Sequence, residues 1–214
     1  MTSGRGQYAK GARKRAEILT IALEVFAEEG YRGTSLRTVA QRSGLTVAGV
    51  MHYFESREHL LTEVIMRRDL MSQSSWGELF RSGATLEELA AELDTNGLVL
   101  EDLLDVLERN EQQPGLVELF VTLTAAAHDP EHPAHDRLRE RYEGLEQLLT
   151  AGVARMQERG ELRDDIAAGE IARLVIAVAD GTQLQWLVTG EGGLSGPMAT
   201  LWYDVLGASR PTKG

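Results

Sequence analysis

The chain has 214 residues, of which 43% are hydrophobic and 26% charged, a composition typical of a soluble globular protein with one or two domains. The absence of cysteine excludes disulfides, thiolate metal sites and cysteine catalysis. No apolar run approaches the ~18 residues of a membrane span, and no signal peptide follows Met1, so a cytoplasmic protein is expected. The net charge of −11 argues against a nucleic acid partner unless the charges are unevenly distributed.

Four helices are predicted in the N-terminal part of the chain. Apolar residues between Ile18 and Phe26 recur on one helical face, and Gly30 has the place of a left-handed cap that ends this helix. The next three helices are predicted over Leu36 to Ser43, Thr46 to Phe54 and from Ser56 onward, with N-caps supplied by Thr34-Ser35, Thr46 and Ser56.

The remainder of the chain is also predicted to be helical. A capping box at 85–88 begins one helix, and Pro114, Pro130, Gly160 and Gly190 fall between the others. Those helices are predicted over Leu98 to Leu107, Leu116 to His128, Ala134 to Glu158, Ala167 to Val188 and from Pro197 onward. The fold class is therefore all-α, with nine or ten helices, and residues 1–10 and 208–214 are expected to be disordered.

The segment 34–54 has the spacing of a helix-turn-helix. Two short helices can cross steeply if a small residue, Ala40, lies at the crossing and a glycine, Gly44, turns the chain with positive φ. Val50 then anchors the second helix in the core, together with Val39, Leu45 and Phe54. The alternative, an unrelated pair of short helices, does not explain the two N-caps and the basic flank.

The charge distribution agrees with DNA binding. Residues 1–68 contain 11 Lys or Arg and 7 Asp or Glu, a net charge of +4. Residues 69–214 contain 11 Lys or Arg and 26 Asp or Glu, a net charge of −15. A basic head on an acidic body suits a protein that binds a polyanion with one end only. A segment of +4 is also a common fluctuation, so charge alone leaves DNA binding open.

The segment Ile18 to Glu63 resembles the DNA-binding domain of the TetR family of bacterial regulators. The resemblance rests on three groups of residues: Ala22, Phe26 and Gly30-Tyr31; Thr34 to Ala40 with Gly44-Leu45-Thr46; and His52-Tyr53-Phe54 with Ser56, Arg57, Glu58, Leu60 and Leu61. It implies a DNA-binding domain over 1–68 and a helical effector-binding and dimerisation domain over 69–214. The second domain matches the family by architecture, and the helix Ala172 to Leu187 is similar to the family's penultimate helix.

The resemblance also implies which residues contact operator DNA. The third helix, capped by Thr46, would lie in the major groove of double-stranded DNA. Base edges would be contacted by Val47, Ala48, Gly49 and Met51. Phosphates would be contacted by His52, Tyr53 and Arg57, with Ser35, Arg37 and Thr38 at the start of the second helix.

Met51 stands where the family commonly has tyrosine. With Val47, Ala48 and Gly49, it leaves the third helix almost without hydrogen-bonding groups for base readout. We therefore expect specificity from thymine methyl contacts, from DNA shape and from an N-terminal arm. Arg5, Lys10, Arg13 and Lys14 would reach into the minor groove, unless this arm is a disordered solubilising tail.

Homodimerisation is implied because one recognition helix reads too few bases. By the resemblance, the interface lies on helices at about 167–189 and 197–207. The sequence agrees in part, since the first of these helices is too apolar all round to have a solvent face. Its apolar residues are Ile171, Leu174, Val175, Val178, Leu184, Trp186 and Leu187, and Leu201, Trp202 and Val205 extend the surface. A helix buried within one chain is the alternative.

An effector cavity among the middle helices is implied in the same way. Candidate lining residues are Met66, Leu70, Met71, Trp76, Phe80, Leu103, Leu107, Phe120 and Thr124. At helical spacing such residues also form an ordinary core. The few polar candidates, Thr122, Thr124 and Gln183, point to an unidentified small, largely apolar effector.

Other activities are disfavoured. His128, His132 and His135 lie near acidic residues, but Pro130 and Pro133 break the helix that would align them, so no metal site and no cofactor is expected. An enzyme is also not expected, because the chain has no phosphate-binding glycine loop and no nucleophile elbow. The leading hypothesis is a repressor released by its effector, and a regulator without an effector, or an activator, remains the alternative.

Overall fold

The computed structural model describes residues 3–33, 35–71 and 100–208, and within these ranges every regular element is a helix. The all-α prediction is confirmed there. The helices are α1 (Ser3–Gly33), α2 (Leu36–Arg42), α3 (Val47–Met51), α4 (Arg57–Met71), α5 (Leu100–Glu111), α6 (Pro114–Ala126), α7 (His135–Glu158), α8 (Ala168–Thr189) and α9 (Ser195–Ala199), which continues as a π-helical segment (Thr200–Val205). The predicted capping box at 85–88 and nearly all of the predicted C-terminal tail lie outside the described residues. No described helix is long and apolar enough to cross a membrane.

The N-terminal arm differs from its prediction. Residues 3–10 were expected to be disordered, but they continue α1 as a helix that begins at Ser3. Extending a helix that is already formed from Ile18 onward is far easier than starting a new one. Residues 11–17, between this segment and Ile18, are rich in Ala, Lys and Arg, which are strong helix formers, and include no proline.

The chain forms two compact units. The first combines Met1–Met71 with Gln113–Leu138, and the second combines Ser72–Gln112 with Arg139–Gly214. The predicted boundary after residue 68 therefore misses a segment of the first unit. That segment carries α6, which packs along α1 and α4 and buries Leu116, Leu119 and Phe120 in their core.

Gly30 divides α1 into two helical parts. The sequence predicts a left-handed stop there, and φ is indeed +72°, but ψ is 175°, a combination that is essentially restricted to glycine. The N-terminus of α6 packs directly on this kink. A Cβ on Gly115 would lie 2.2 Å from the Phe26 carbonyl oxygen and 2.7 Å from the Gly30 Cα. The first unit therefore depends on backbone-to-backbone contact between α1 and α6.

The second unit has its own core. Its largest buried side chains include Leu149, Ile171, Leu194, Met198 and Trp202. Two polar side chains hold the loops over this core. Glu111 accepts a hydrogen bond from the Leu194 N–H. Gln157 Nε2 donates to the carbonyls of Arg163 and Ile166, each at 2.8 Å.

Candidate nucleic-acid interface

The helix-turn-helix predicted from residues 34–54 is confirmed. Val39, Ala40 and Val50 are buried where α2 and α3 pack. Gly44 has φ +65° in the turn between them, and the Leu45 N–H closes that turn on the Ala40 carbonyl at 2.8 Å. The turn therefore needs a glycine, as the spacing predicts.

The start of α2 presents three of the predicted phosphate-binding residues together. Ser35 is the N-cap, and its hydroxyl accepts a hydrogen bond from the Thr38 N–H at 3.3 Å. The Thr38 hydroxyl lies 3.4 Å from that of Ser35. Arg37 is exposed beside them. This arrangement suits an anion because hydroxyls, a guanidinium and helix N-terminal amides share one end.

The recognition helix α3 is shorter than predicted. It covers Val47–Met51, and His52 is its C-cap, whereas the sequence predicts helix as far as Phe54. Phe54 is buried, so the chain has to bend after His52 to bring its ring into the core. The bend is held by a hydrogen bond from the Glu55 N–H to His59 Nδ1 at 3.2 Å.

The surface of α3 is as apolar as the sequence implies. Val47 is 40% exposed, which is high for a large apolar side chain, and Ala48 is exposed beside it. Gly49 and Met51 are partly buried. The exposed face of α3 therefore offers methyl groups to a partner. The hydroxyl of its N-cap, Thr46, already accepts a hydrogen bond within the helix.

Thr46 holds the start of α3. Its Oγ1 accepts a hydrogen bond from the Gly49 N–H at 3.0 Å, the geometry of an N-cap. Thr46→Ala is expected to lower the free energy of unfolding by about 1 kcal/mol, since this donor loses its acceptor. Urea unfolding of the two proteins measures the difference. Thr46→Ser retains the acceptor and should restore most of the loss; an equal loss in Thr46→Ser would contradict the capping role.

The remaining predicted phosphate-binding residues follow α3. His52 is exposed, and its ring meets the Tyr53 ring edge to face with 5.4 Å between centroids. Arg57 is the first residue of α4. Its guanidinium lies 5.2 Å from the centre of the Tyr31 ring, and Nη1 donates to the Tyr31 hydroxyl at 3.4 Å. Sequence reasoning gave Tyr31 no role beyond its place in the resemblance.

Two basic residues of α1 have structural contacts. Lys14, which the sequence places among the minor-groove candidates, donates to the Ser43 carbonyl at 3.0 Å and pairs with Glu17 at 2.8 Å. Its charge therefore stabilises the C-terminal end of α2. Arg15 pairs with Glu63 at 3.0 Å and lies 4.9 Å from the centre of the Phe54 ring. Lys10 and Arg13 are exposed, and the side chain of Arg5 lies outside the described residues.

Arg42, at the end of α2, is paired with α1. Its guanidinium lies 2.7 Å from the Glu28 carboxylate and 3.3 Å from that of Glu29. The hydrogen bond to Glu28, together with the charges of Glu28, Glu29 and Glu24, raises the pKa of Arg42 above its usual value. The Arg42 guanidinium is therefore paired with two carboxylates of α1, whereas Arg37 is exposed at the start of α2.

The predicted effector-binding residues are distributed over both units. Met66, Phe120 and Thr124 belong to the first unit, and Leu103 and Leu107 to the second. Phe120 and Leu107 are buried in their cores, and the Arg68 guanidinium lies 5.1 Å from the centre of the Phe120 ring. Leu70 and Met71 lie on α4, but their side chains are outside the described part, as are Trp76 and Phe80.

The three histidines at the junction of α6 and α7 bond to the backbone. His128 Nδ1 and His135 Nδ1 each lie 2.9 Å from a carbonyl oxygen, of Ala125 and Ala127 respectively. His132 Nδ1 accepts from the Ala134 N–H at 3.1 Å. These rings cap the turn between the two helices, and the described residues hold no cluster suited to a metal ion.

A helix-turn-helix with an exposed second helix is typical of the class of DNA-binding transcription regulators. A family model described as bacterial regulatory proteins, tetR family, matches residues 18–64. A second model, described as the C-terminal part of BetI-type transcriptional repressors, matches residues 99–199. The chain belongs to the TetR family of bacterial transcription regulators. The resemblance found over Ile18 to Glu63 is thereby confirmed.

Known relatives agree with this assignment. The transcriptional repressor AcnR of Corynebacterium diphtheriae is 27% identical over 168 residues, which cover 78% of both proteins. The transcriptional repressor KstR2 of Rhodococcus jostii is 35% identical over 82 residues, 36% of this chain and 39% of that protein. A TetR-family regulator from Agrobacterium tumefaciens has the same fold with a TM-score of 0.65 and 21% identity, over 92% of this chain and 98% of that structure.

Proposed function

We propose that this regulator is a repressor that binds a two-fold symmetric operator as a homodimer and is released by a small, largely apolar effector. The observation that carries the proposal is the exposed face of α3 beside the capped N-terminus of α2. The first offers Val47 and Ala48 to a groove, and the second offers Ser35, Arg37 and amides to phosphates. The similarity to the repressors AcnR and KstR2 supports repression rather than activation.

The readout of DNA by this surface relies on methyl groups. The exposed apolar side chains of α3 contact thymine methyls, and the polar groups around them fix the register on phosphates. Lys10 and Arg13, exposed on the N-terminal extension of α1, add sequence-independent attraction. Discrimination then depends strongly on DNA shape, because the recognition helix has few hydrogen bonds to offer.

The outer face of α8 supports the homodimer. Leu174, Ala177, Gly181, Leu184 and Val188 follow one another at alternating steps of three and four residues, the spacing of a helix-packing seam. Leu174 is 45% exposed, Leu184 52% and Val188 78%. Ile171 and Val175 are buried on the opposite face. Such exposure favours an interface between two chains over a helix buried within one. Val205, 53% exposed, extends the interface to the last helix.

Two buried polar atoms support an effector. The Thr124 hydroxyl in the first unit and the Gln183 amide oxygen in the second are buried with no hydrogen-bond partner in the described part of the chain. A buried acceptor without a partner is costly, and a ligand removes this cost by supplying a donor. An effector that is largely apolar and carries a polar group is consistent with either of these atoms.

Selection of the full-length protein against random DNA duplexes tests the proposal. We expect a two-fold symmetric site with half-sites about one helical turn apart, bound in the nanomolar range with a steep salt dependence. Ala48→Glu, which places a carboxylate on the exposed face of α3, should abolish binding, and Gln147→Glu on α7 serves as the matched control for added charge. Selection without an enriched symmetric site would overturn the proposal. Release of the labelled duplex by small apolar compounds then tests the effector.

A further inference from the structure

Tyr31 lies between α6 and the first residue of α4. Because Gly30 interrupts α1, the Tyr31 N–H stands at the start of a new helical turn, where backbone donors need acceptors from elsewhere. Glu118 of α6 supplies one, since its Oε2 accepts this N–H at 3.2 Å. The backbone of Tyr31 is therefore held by α6.

The side chain of Tyr31 reaches Arg57. The guanidinium lies 5.2 Å from the ring centre, within the range of a cation–π contact, and donates to the hydroxyl at 3.4 Å. The Glu58 carboxylate is 3.9 Å from the same nitrogen, too far for a hydrogen bond. The aromatic ring and its hydroxyl thus orient the guanidinium, while the side chain of Arg57 stays partly exposed.

We propose that Tyr31 is a positioning residue for DNA binding, which preorganises Arg57 for contact with a DNA phosphate, and that Glu118 fixes Tyr31 for this task. The inference rests on the proposed function and on the expectation from the family resemblance that Arg57 contacts a phosphate. A free arginine loses rotamer entropy when it is ordered on a ligand. A guanidinium already held by an aromatic ring loses less, so its phosphate contact contributes more to affinity.

A double-mutant cycle between Tyr31 and Arg57 tests this inference. The probe is one labelled duplex of about 30 base pairs with a fixed arbitrary sequence, because phosphate contacts are independent of sequence. Arg57→Gln should weaken binding about tenfold and lower the salt slope by about one. Tyr31→Leu should weaken it about fivefold in the wild-type background and hardly at all beside Arg57→Gln, the non-additivity of coupled residues.

Two further variants separate positioning from structure. Tyr31→Phe keeps the ring and should retain most of the affinity. Glu118→Ala should weaken binding about threefold, again only when Arg57 is present. Glu118→Gln keeps the acceptor and should rescue it. Thermal unfolding identifies any variant whose fold is altered. A merely structural Tyr31 would weaken binding equally in both backgrounds and leave the salt slope unchanged.

The outcomes distinguish the two proposals. Equal losses from Tyr31→Leu with and without Arg57 would overturn the positioning role alone. An unchanged salt slope in Arg57→Gln would overturn both the phosphate contact and the role built on it. Neither result bears on operator selection by the wild-type protein, because the arbitrary duplex measures phosphate contacts only.

Discussion

Gly115→Ala is expected to lower the free energy of unfolding by about 3 kcal/mol, a large part of the stability of a domain of this size. The added Cβ would meet the Phe26 carbonyl oxygen at 2.2 Å, the Gly30 Cα at 2.7 Å and the Gly30 nitrogen at 2.9 Å. All three are backbone atoms, so no side-chain rotation relieves the overlap. The first turn of α6 has to move away from α1, and the packing of Leu116 and Leu119 is lost with it.

Urea unfolding followed by circular dichroism measures this effect. Gly11→Ala is the matched control. Gly11 lies on α1, the helix against which Gly115 packs, and a Cβ at Gly11 meets no heavy atom within 4 Å. In a helix this control gains up to about 1 kcal/mol, since alanine is the better helix former. A Gly115→Ala protein within about 0.5 kcal/mol of wild type would show that α6 does not rest on the α1 backbone.

The helix-turn-helix could be predicted from sequence because its determinants are local. The caps Ser35 and Thr46 each bond to an N–H three residues later, so the signal and the structure occupy the same few positions. The crossing at Ala40 and the turn at Gly44 are equally local. The length of α3 was predicted wrongly: the sequence places Phe54 in the core, as observed, but no local signal shows that the helix ends at Met51 and that the chain bends after His52.

The contacts of Tyr31 could not be predicted in this way. Glu118 is 87 residues from its partner, and one acidic residue on an amphipathic helix gives no sign of where it bonds. The packing of α6 on α1 could not be predicted either, because the two helices are far apart in the sequence. Through this packing, residues 113–138 belong to the first unit and not to the predicted second domain. The one available signal was Gly115 next to Pro114, which the sequence presents only as a break between helices.

The sequence correctly predicts that α8 is apolar, but it does not show which apolar face is buried and which is exposed. The sequence shows a helix that is apolar all round, and the structure divides it into a buried face with Ile171 and Val175 and an exposed face with Leu174 and Leu184. Periodicity alone cannot assign two apolar faces to a core and a partner, because both have the same chemistry. In the proposed homodimer, the exposed face is the one that meets the second chain.

Leu184→Glu is accordingly expected to convert the homodimer into monomers and to weaken operator binding at least about a hundredfold, since one half-site contributes too few contacts. Leu184 is 52% exposed in the isolated chain, so the substitution leaves the core of its own unit intact. In a two-fold interface each copy brings a carboxylate to the same seam, where both are desolvated without partners. The glycine at position 181 has open space around it and, in the proposed interface, would let the two helices approach closely there.

Light scattering after gel filtration measures the mass of the assembly, and anisotropy with the selected operator measures its affinity. Gln147→Glu adds the same charge to an exposed position of α7 and should leave both unchanged. A Leu184→Glu protein that remains dimeric and binds within about threefold of wild type would place the interface on another surface. Two buried carboxylates at this seam would have to destabilise the dimer. Monomers that retain their circular dichroism spectrum while losing operator binding would tie the outer face of α8 to dimerisation, and dimerisation to DNA recognition.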